Sequence, residues 1–207
     1  MLNYRFDGTW PAEFGPMTDR TDPSTRSLRA DLMLAFALIA LCVAARLLPH
    51  VQNFSPVAAA ALFAGAVMGR RSLAVTVPLA AMLIGDLVLG FYHWQVMATV
   101  YAALAVPVLI GMIGRRHGLW LTAIGGALGS ALIFFVTTNF AVWAFSGLYS
   151  LDSTGLAQCY IAGLPYLKYT VAGDLLWSVA LFASLTLLGS AARPRPETRP
   201  GALSASP

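Results

Sequence analysis

The stretch Leu73-Ala-Val-Thr-Val-Pro-Leu-Ala-Ala-Met-Leu-Ile-Gly-Asp-Leu-Val-Leu-Gly-Phe91 is apolar except for Thr76 and Asp86. Its length falls within the roughly 17–25 residues that a helix needs to cross a bilayer. Comparable stretches on either side predict six spans at about 31–48, 56–69, 73–91, 95–113, 119–145 and 166–190. The span at 56–69 is short and leans on Pro56 as its start. Composition agrees: the chain is 58% hydrophobic and 11% charged, where soluble domains carry roughly 25% charged residues. The expected fold class is all-α. It is a polytopic six-helix transmembrane bundle over 31–190, between an arm over 1–30 and a tail over 191–207.

The net charge of +4 raises the question of a nucleic-acid partner, and the placement of the charges argues against one. Eleven of the thirteen basic residues fall in the arm, at Arg70 and Arg71, at Arg115 and Arg116, and in the tail. Six spans put those four segments on one side. Only Arg46 and Lys168 fall towards the other. This is the positive-inside pattern and predicts that both termini are cytoplasmic. The arm, rich in Pro, Asp, Thr and Arg, and the tail, with four prolines, are expected to be disordered. The first thirty residues have no apolar core, so no signal peptide is expected. Cys42 and Cys159 have neither CxxC nor Cys/His spacing, and no metal site or disulfide framework is expected.

Asp86 and a second carboxylate, Asp174 in the run 166–190, lie well inside apolar spans. An ionisable group at membrane depth costs roughly 2.5–3.5 kcal/mol and is a functional-site hypothesis by default. With the predicted directions, Asp86, Asn139 and Asp174 all fall roughly 7–12 Å below the outer surface at 1.5 Å per residue. The inner halves carry nothing comparable. The outer connections add His50 and Asn53 in the first, His93 in the second, and Lys168 just after the third, which is expected to be a long loop over 146–165. Trp143 shares a helix face with Asn139, and Trp177 shares one with Asp174. Aromatic walls with a few convergent polar groups are the usual make-up of small-molecule pockets. The expected ligand-binding set is therefore Asp86, Asn139, Asp174, Asn53, His50, Trp143, His93, Trp177 and Lys168, with no catalytic or metal residues and no cofactor.

Each of these residues also has a plainer reading. Trp143 and its neighbours fit an interfacial aromatic belt, and Asn139 fits an amide that bonds between helices. Asp86 and Asp174 fit structural links, and His50 and His93 fit interfacial histidines. The matching Gly85-Asp86-Leu87 and Gly173-Asp174-Leu175 do not make an inverted repeat. Two three-span halves would place equivalent positions at opposite faces, and both aspartates are expected near the same one. Small-residue pairs such as Ala40/Ala44, Ala60/Ala64 and Gly65/Gly69 are expected to pack helices closely.

Several strings together carry a resemblance. Ala45-Arg-Leu-Leu-Pro-His-Val-Gln-Asn-Phe-Ser-Pro-Val-Ala58, the run Val77–Phe91, Thr138-Asn-Phe-Ala-Val-Trp143 and Gly173-Asp-Leu-Leu176 resemble an uncharacterised family of small bacterial integral membrane proteins. Its layout is distantly similar to that of the substrate-binding subunits of energy-coupling-factor importers. That similarity implies a bacterial plasma-membrane protein that takes a vitamin-like or cationic solute from outside. It also implies docking onto an energising membrane module through the Ala40/Ala44 face, with the 49–56 segment and the 146–165 loop capping the pocket.

Two other classes stay open. A proton- or cation-coupled carrier would use Asp86 or Asp174 as its titrating group. A scaffold would use the carboxylates only as internal links. An enzyme is not expected: no HExxH occurs, and Ser130 and Ser178 have no histidine nearby in sequence.

Overall fold

A computed structural model describes residues 28–49, 51 and 53–191. The helices are α1 (Leu28–Leu47), α2 (Val57–Val67), α3 (Arg71–Leu89), α4 (Trp94–Ala103), α5 (Ala105–Gly114), α6 (Leu119–Phe145) and α7 (Ser153–Ala191), and there is no strand among the described residues. The architecture is all-helical. Counting α4 and α5 as one 21-residue unit, five helices are long and apolar enough to cross a membrane. The expected disorder of the arm up to residue 27 and of the tail from 192 lies outside the described residues, as does His50.

Proline explains the division between α4 and α5. Pro107 has no N–H to give the Ala103 carbonyl, and its ring crowds that carbonyl, so the helix breaks at Leu104. Pro165, by contrast, sits inside α7 without ending it. The long loop expected over 146–165 is therefore corrected to a short connection over 146–152. Helix starts at Ser153 because Asp152 accepts the Gly155 N–H at 2.7 Å. Its first turns then pack on α6. Tyr160 OH donates to the Val136 carbonyl at 2.7 Å, and the Cys159 thiol donates to the Asn139 carbonyl at 3.3 Å.

Two polar contacts set the register of α1 against α3. Asp31 accepts the Arg70 N–H at 3.0 Å, and Arg46 meets Asp86 sixteen positions further along α3. Pairing 31 with 70 and 46 with 86 makes the two helices parallel. The chain must therefore return between them, and α2 spans only 11 residues, about 16 Å at 1.5 Å per residue. The described residues just before it, 53–56, are not helical and lengthen that return.

The short helix α2 is apolar on all sides and buried on nearly all: Val57, Ala59 to Gly65 and Val67 are all buried. Its alanines let neighbours approach closely. At its crossing with α5, a Cβ on Gly65 would overlap the Val108 carbonyl, and one on Gly111 would overlap the Leu62 carbonyl. Phe63 packs edge-on against Phe182 of α7, ring centroids 5.1 Å apart. The C-terminal carbonyls of α2 are met by Arg115, which donates to Gly65 O at 2.7 and 2.9 Å and also to Met68 O.

The outer surface is apolar. Between 22% and 39% of each long span's most apolar window is buried, and Met33 and Phe36 are 74% and 76% exposed. Only Asp31, Ala35, Leu38 and Cys42 form the buried stripe of α1. Ala40 and Ala44 lie on its exposed face. An apolar surface of this extent is compatible with an integral membrane protein and far exceeds what soluble monomers expose.

Candidate functional site

A cavity of about 430 Å³ opens among the helices at the end of the bundle that carries the 90–93 and 146–152 connections. It falls within the roughly 300–1,000 Å³ range of small-molecule sites. Val96, Val100, Leu104, Phe134 and Phe135 give it apolar walls. Polar groups come from Asn53 and Ser55 ahead of α2, Tyr92, Thr138 and Asn139 of α6, and Tyr166, Thr170 and Asp174 of α7. Arg46 and Asp174 are the charged residues of the wall.

The two expected aspartates turn out to differ. Asp86 is 1% exposed but fully engaged. Arg46 Nη2 approaches its Oδ1 to 2.6 Å, and Tyr101 OH donates to its Oδ2 at 2.9 Å. It stands behind Arg46 rather than on the cavity wall. The sequence reading left Arg46 as a stray outer charge and so missed this pair. The signal was present: parallel spans put Arg46, at the end of the first, level with Asp86, near the end of the third. The reading also missed Asp31, which is completely buried and serves the backbone before α3, with Gly69 N–H as a second, longer donor at 3.4 Å.

Asp174 is 4% exposed, and its Oδ2 has no hydrogen-bond partner among the described residues. Ser178 Oγ and Trp177 Nε1, one turn along α7, are likewise buried without partners. Gly173 explains how Asp174 reaches its position. Its missing side chain lets α7 close on the backbone of Phe54 and Ser55, immediately before α2. Asp174 therefore sits beside the N-terminus of α2, whose first residues Val57 and Ala58 also line the cavity and which no side chain caps.

Asn53 lines the cavity from a left-handed backbone conformation, φ 63°, which asparagine tolerates better than most residues. Asn139 also lines it, but its Nδ2 donates to Phe135 O of its own helix at 2.8 Å instead of crossing between helices. Its Oδ1 rests against Gly163, where a Cβ would collide with it.

The other expected residues do not gather at the cavity. Trp143 donates to Ser150 O at 2.9 Å and ties down the 146–152 connection. His93 is exposed just before α4, and Lys168 is exposed over the Tyr169 ring. Trp177 is half-buried beside the site and is not part of its wall. Both cysteines are free, and no three His, Cys, Asp or Glu residues come together among the described residues.

The chain matches the family of unknown function DUF6580 over residues 26–197 and belongs to it. No curated protein and no solved structure matches it.

Proposed function

We propose that this chain is an integral membrane protein that binds a small solute bearing a cationic or hydrogen-bond-donor group against Asp174. The observation that carries this reading is the buried Asp174 Oδ2 at the wall of the cavity, without a partner among the described residues. A buried carboxyl without a partner costs folding energy, so a site that keeps one is organised for something that arrives later. Arg46 is matched by Asp86, which leaves Asp174 as the unmatched charge of the wall.

In this reading the chain crosses the bilayer six times, with α2 and the segment before it completing the second crossing. Arg70, Arg71, Arg115 and Arg116 cluster at the end opposite the cavity, which supports cytoplasmic termini and a cavity in the outer half. The chain would serve as the solute-binding subunit of an importer in a bacterial plasma membrane, with the exposed Ala40/Ala44 face of α1 available to an energising partner. A carrier that titrates Asp86 gains no support from the geometry, because Arg46 and Tyr101 occupy both of its oxygens.

Native mass spectrometry of the detergent-purified protein tests this reading. A small-molecule adduct on the wild type that is lost in Asp174→Asn supports it. Unliganded wild-type protein, with no binding from a solute library, contradicts it.

A further inference from the structure

The wall of the cavity holds two features of opposite polarity side by side, and together they narrow the ligand class. The first is Asp174, only 4% exposed, whose Oδ2 has no partner among the described residues. The second is the N-terminus of α2. Pro56 has no N–H, no side chain among the described residues caps the helix, and the Ala60 N–H closes the turn on Pro56 O at 2.7 Å. The N–H groups of the first turn and the helix dipole favour an anionic group there. Gly173, the residue before Asp174, packs on Phe54 and Ser55 just ahead of α2, and Asp174 lines the cavity together with Val57 and Ala58 of the first turn. Arg46, on the same wall, is matched by Asp86 through Nη2, and its Nη1 gives to the weak acceptor Met82 Sδ at 3.2 Å.

We infer that the cavity takes a small zwitterion of the α-amino-acid kind, its ammonium on Asp174 and its carboxylate at the start of α2. The inference rests on the cavity being the solute site. An ammonium and a carboxylate carried on one carbon are close enough to use adjacent positive and negative features together, which an isolated cation or anion does not. Half-length helices inside membrane bundles use their N-termini in this way towards anionic substrate groups. The remainder of the ligand meets Val96, Val100, Leu104 and Phe134, so an apolar side chain fits best.

Binding to the detergent-purified full chain, by thermal shift and calorimetry, tests this with the neutral α-amino acids and, for each, the decarboxylated amine and the deaminated acid. At least one amino acid is expected to bind, with its amine and its acid each about tenfold weaker or worse, as the loss of a charge-assisted contact implies. Asp174→Asn should weaken the amino acid and the amine and leave the acid unchanged. Amines that bind as well as amino acids, or a co-purifying ligand without an anionic group, overturn the inference and leave the cavity reading standing. No binding in any class, with no co-purifying ligand, overturns both.

Discussion

Arg46 Nη2 and Asp86 Oδ1 stand 2.6 Å apart across forty residues of sequence, and the pair joins the ends of two parallel helices. The arginine is 20% exposed and the aspartate 2% by side chain, so the carboxylate is the more costly member to leave alone. Removing either partner should destabilise the protein by about 3 kcal/mol. The double variant Arg46→Met with Asp86→Leu should cost clearly less than the sum. A double-mutant cycle on thermal unfolding in detergent measures the difference. Additive losses would remove the pair from the account.

Tyr101 holds the other oxygen of Asp86. Tyr101→Phe keeps the ring and deletes one hydrogen bond to a charged group, so it should cost about 1.5–3 kcal/mol. The same unfolding assay reads it, and an unchanged midpoint would show that the hydroxyl contributes nothing.

The crossing of α2 and α5 permits no side chain at Gly65 or Gly111. Gly65→Ala and Gly111→Ala should each destabilise by about 1–3 kcal/mol through overpacking. Gly125→Ala provides the contrast, since a Cβ there meets only Leu121 at an ordinary 3.6 Å. Equal behaviour of all three variants would contradict the close crossing.

Asp152 begins α7 outside the apolar part of the bundle. The Gly155 N–H, then the Ser150 hydroxyl, hold its carboxyl below the ordinary value of 3.8. A lowered folded value means that its stabilisation is present above the unfolded value and is lost as pH falls through the folded one. Hydrogen exchange of the peptide covering 150–160 should therefore be faster in Asp152→Ala than in wild type at neutral pH. The difference should close only as pH falls through the folded value, which lies under 3.8, because the wild-type carboxyl is protonated too below it. A difference that persists in acid would assign the cap to something else.

Much of the helical layout was legible because apolar length is a strong signal. The 119–145 span coincides with α6, and the 73–91 and 95–113 spans fall within two residues of α3 and of α4 with α5 at each end. The stretch expected as a loop over 146–165 is helical from Ser153 onward, through Pro165. A proline is tolerated mid-helix where neighbouring elements hold the helix together, and α6 does so through Val136 and Asn139. The site was half legible. Depth alone singled out Asp86, Asn139 and Asp174, but depth cannot tell a paired carboxylate from an unpaired one. That distinction needed the parallel register of α1 and α3, which brings Arg46 to Asp86, while nothing comparable among the described residues reaches Asp174. His93 and Lys168 were drawn in by their position near the outer face, where exposed polar side chains are common.

Under the proposed function two buried carboxylates do different work, Asp86 holding the bundle and Asp174 holding a ligand. The most direct test is the thermal unfolding midpoint of Asp86→Asn and Asp174→Asn, side by side, in ligand-free detergent-purified protein. Asp86→Asn should melt well below wild type, because Arg46 loses its counter-charge, and Asp174→Asn should melt at or above it, because a buried, unpartnered carboxyl is replaced by a neutral amide. A large loss of stability in Asp174→Asn, or none in Asp86→Asn, would contradict the assignment.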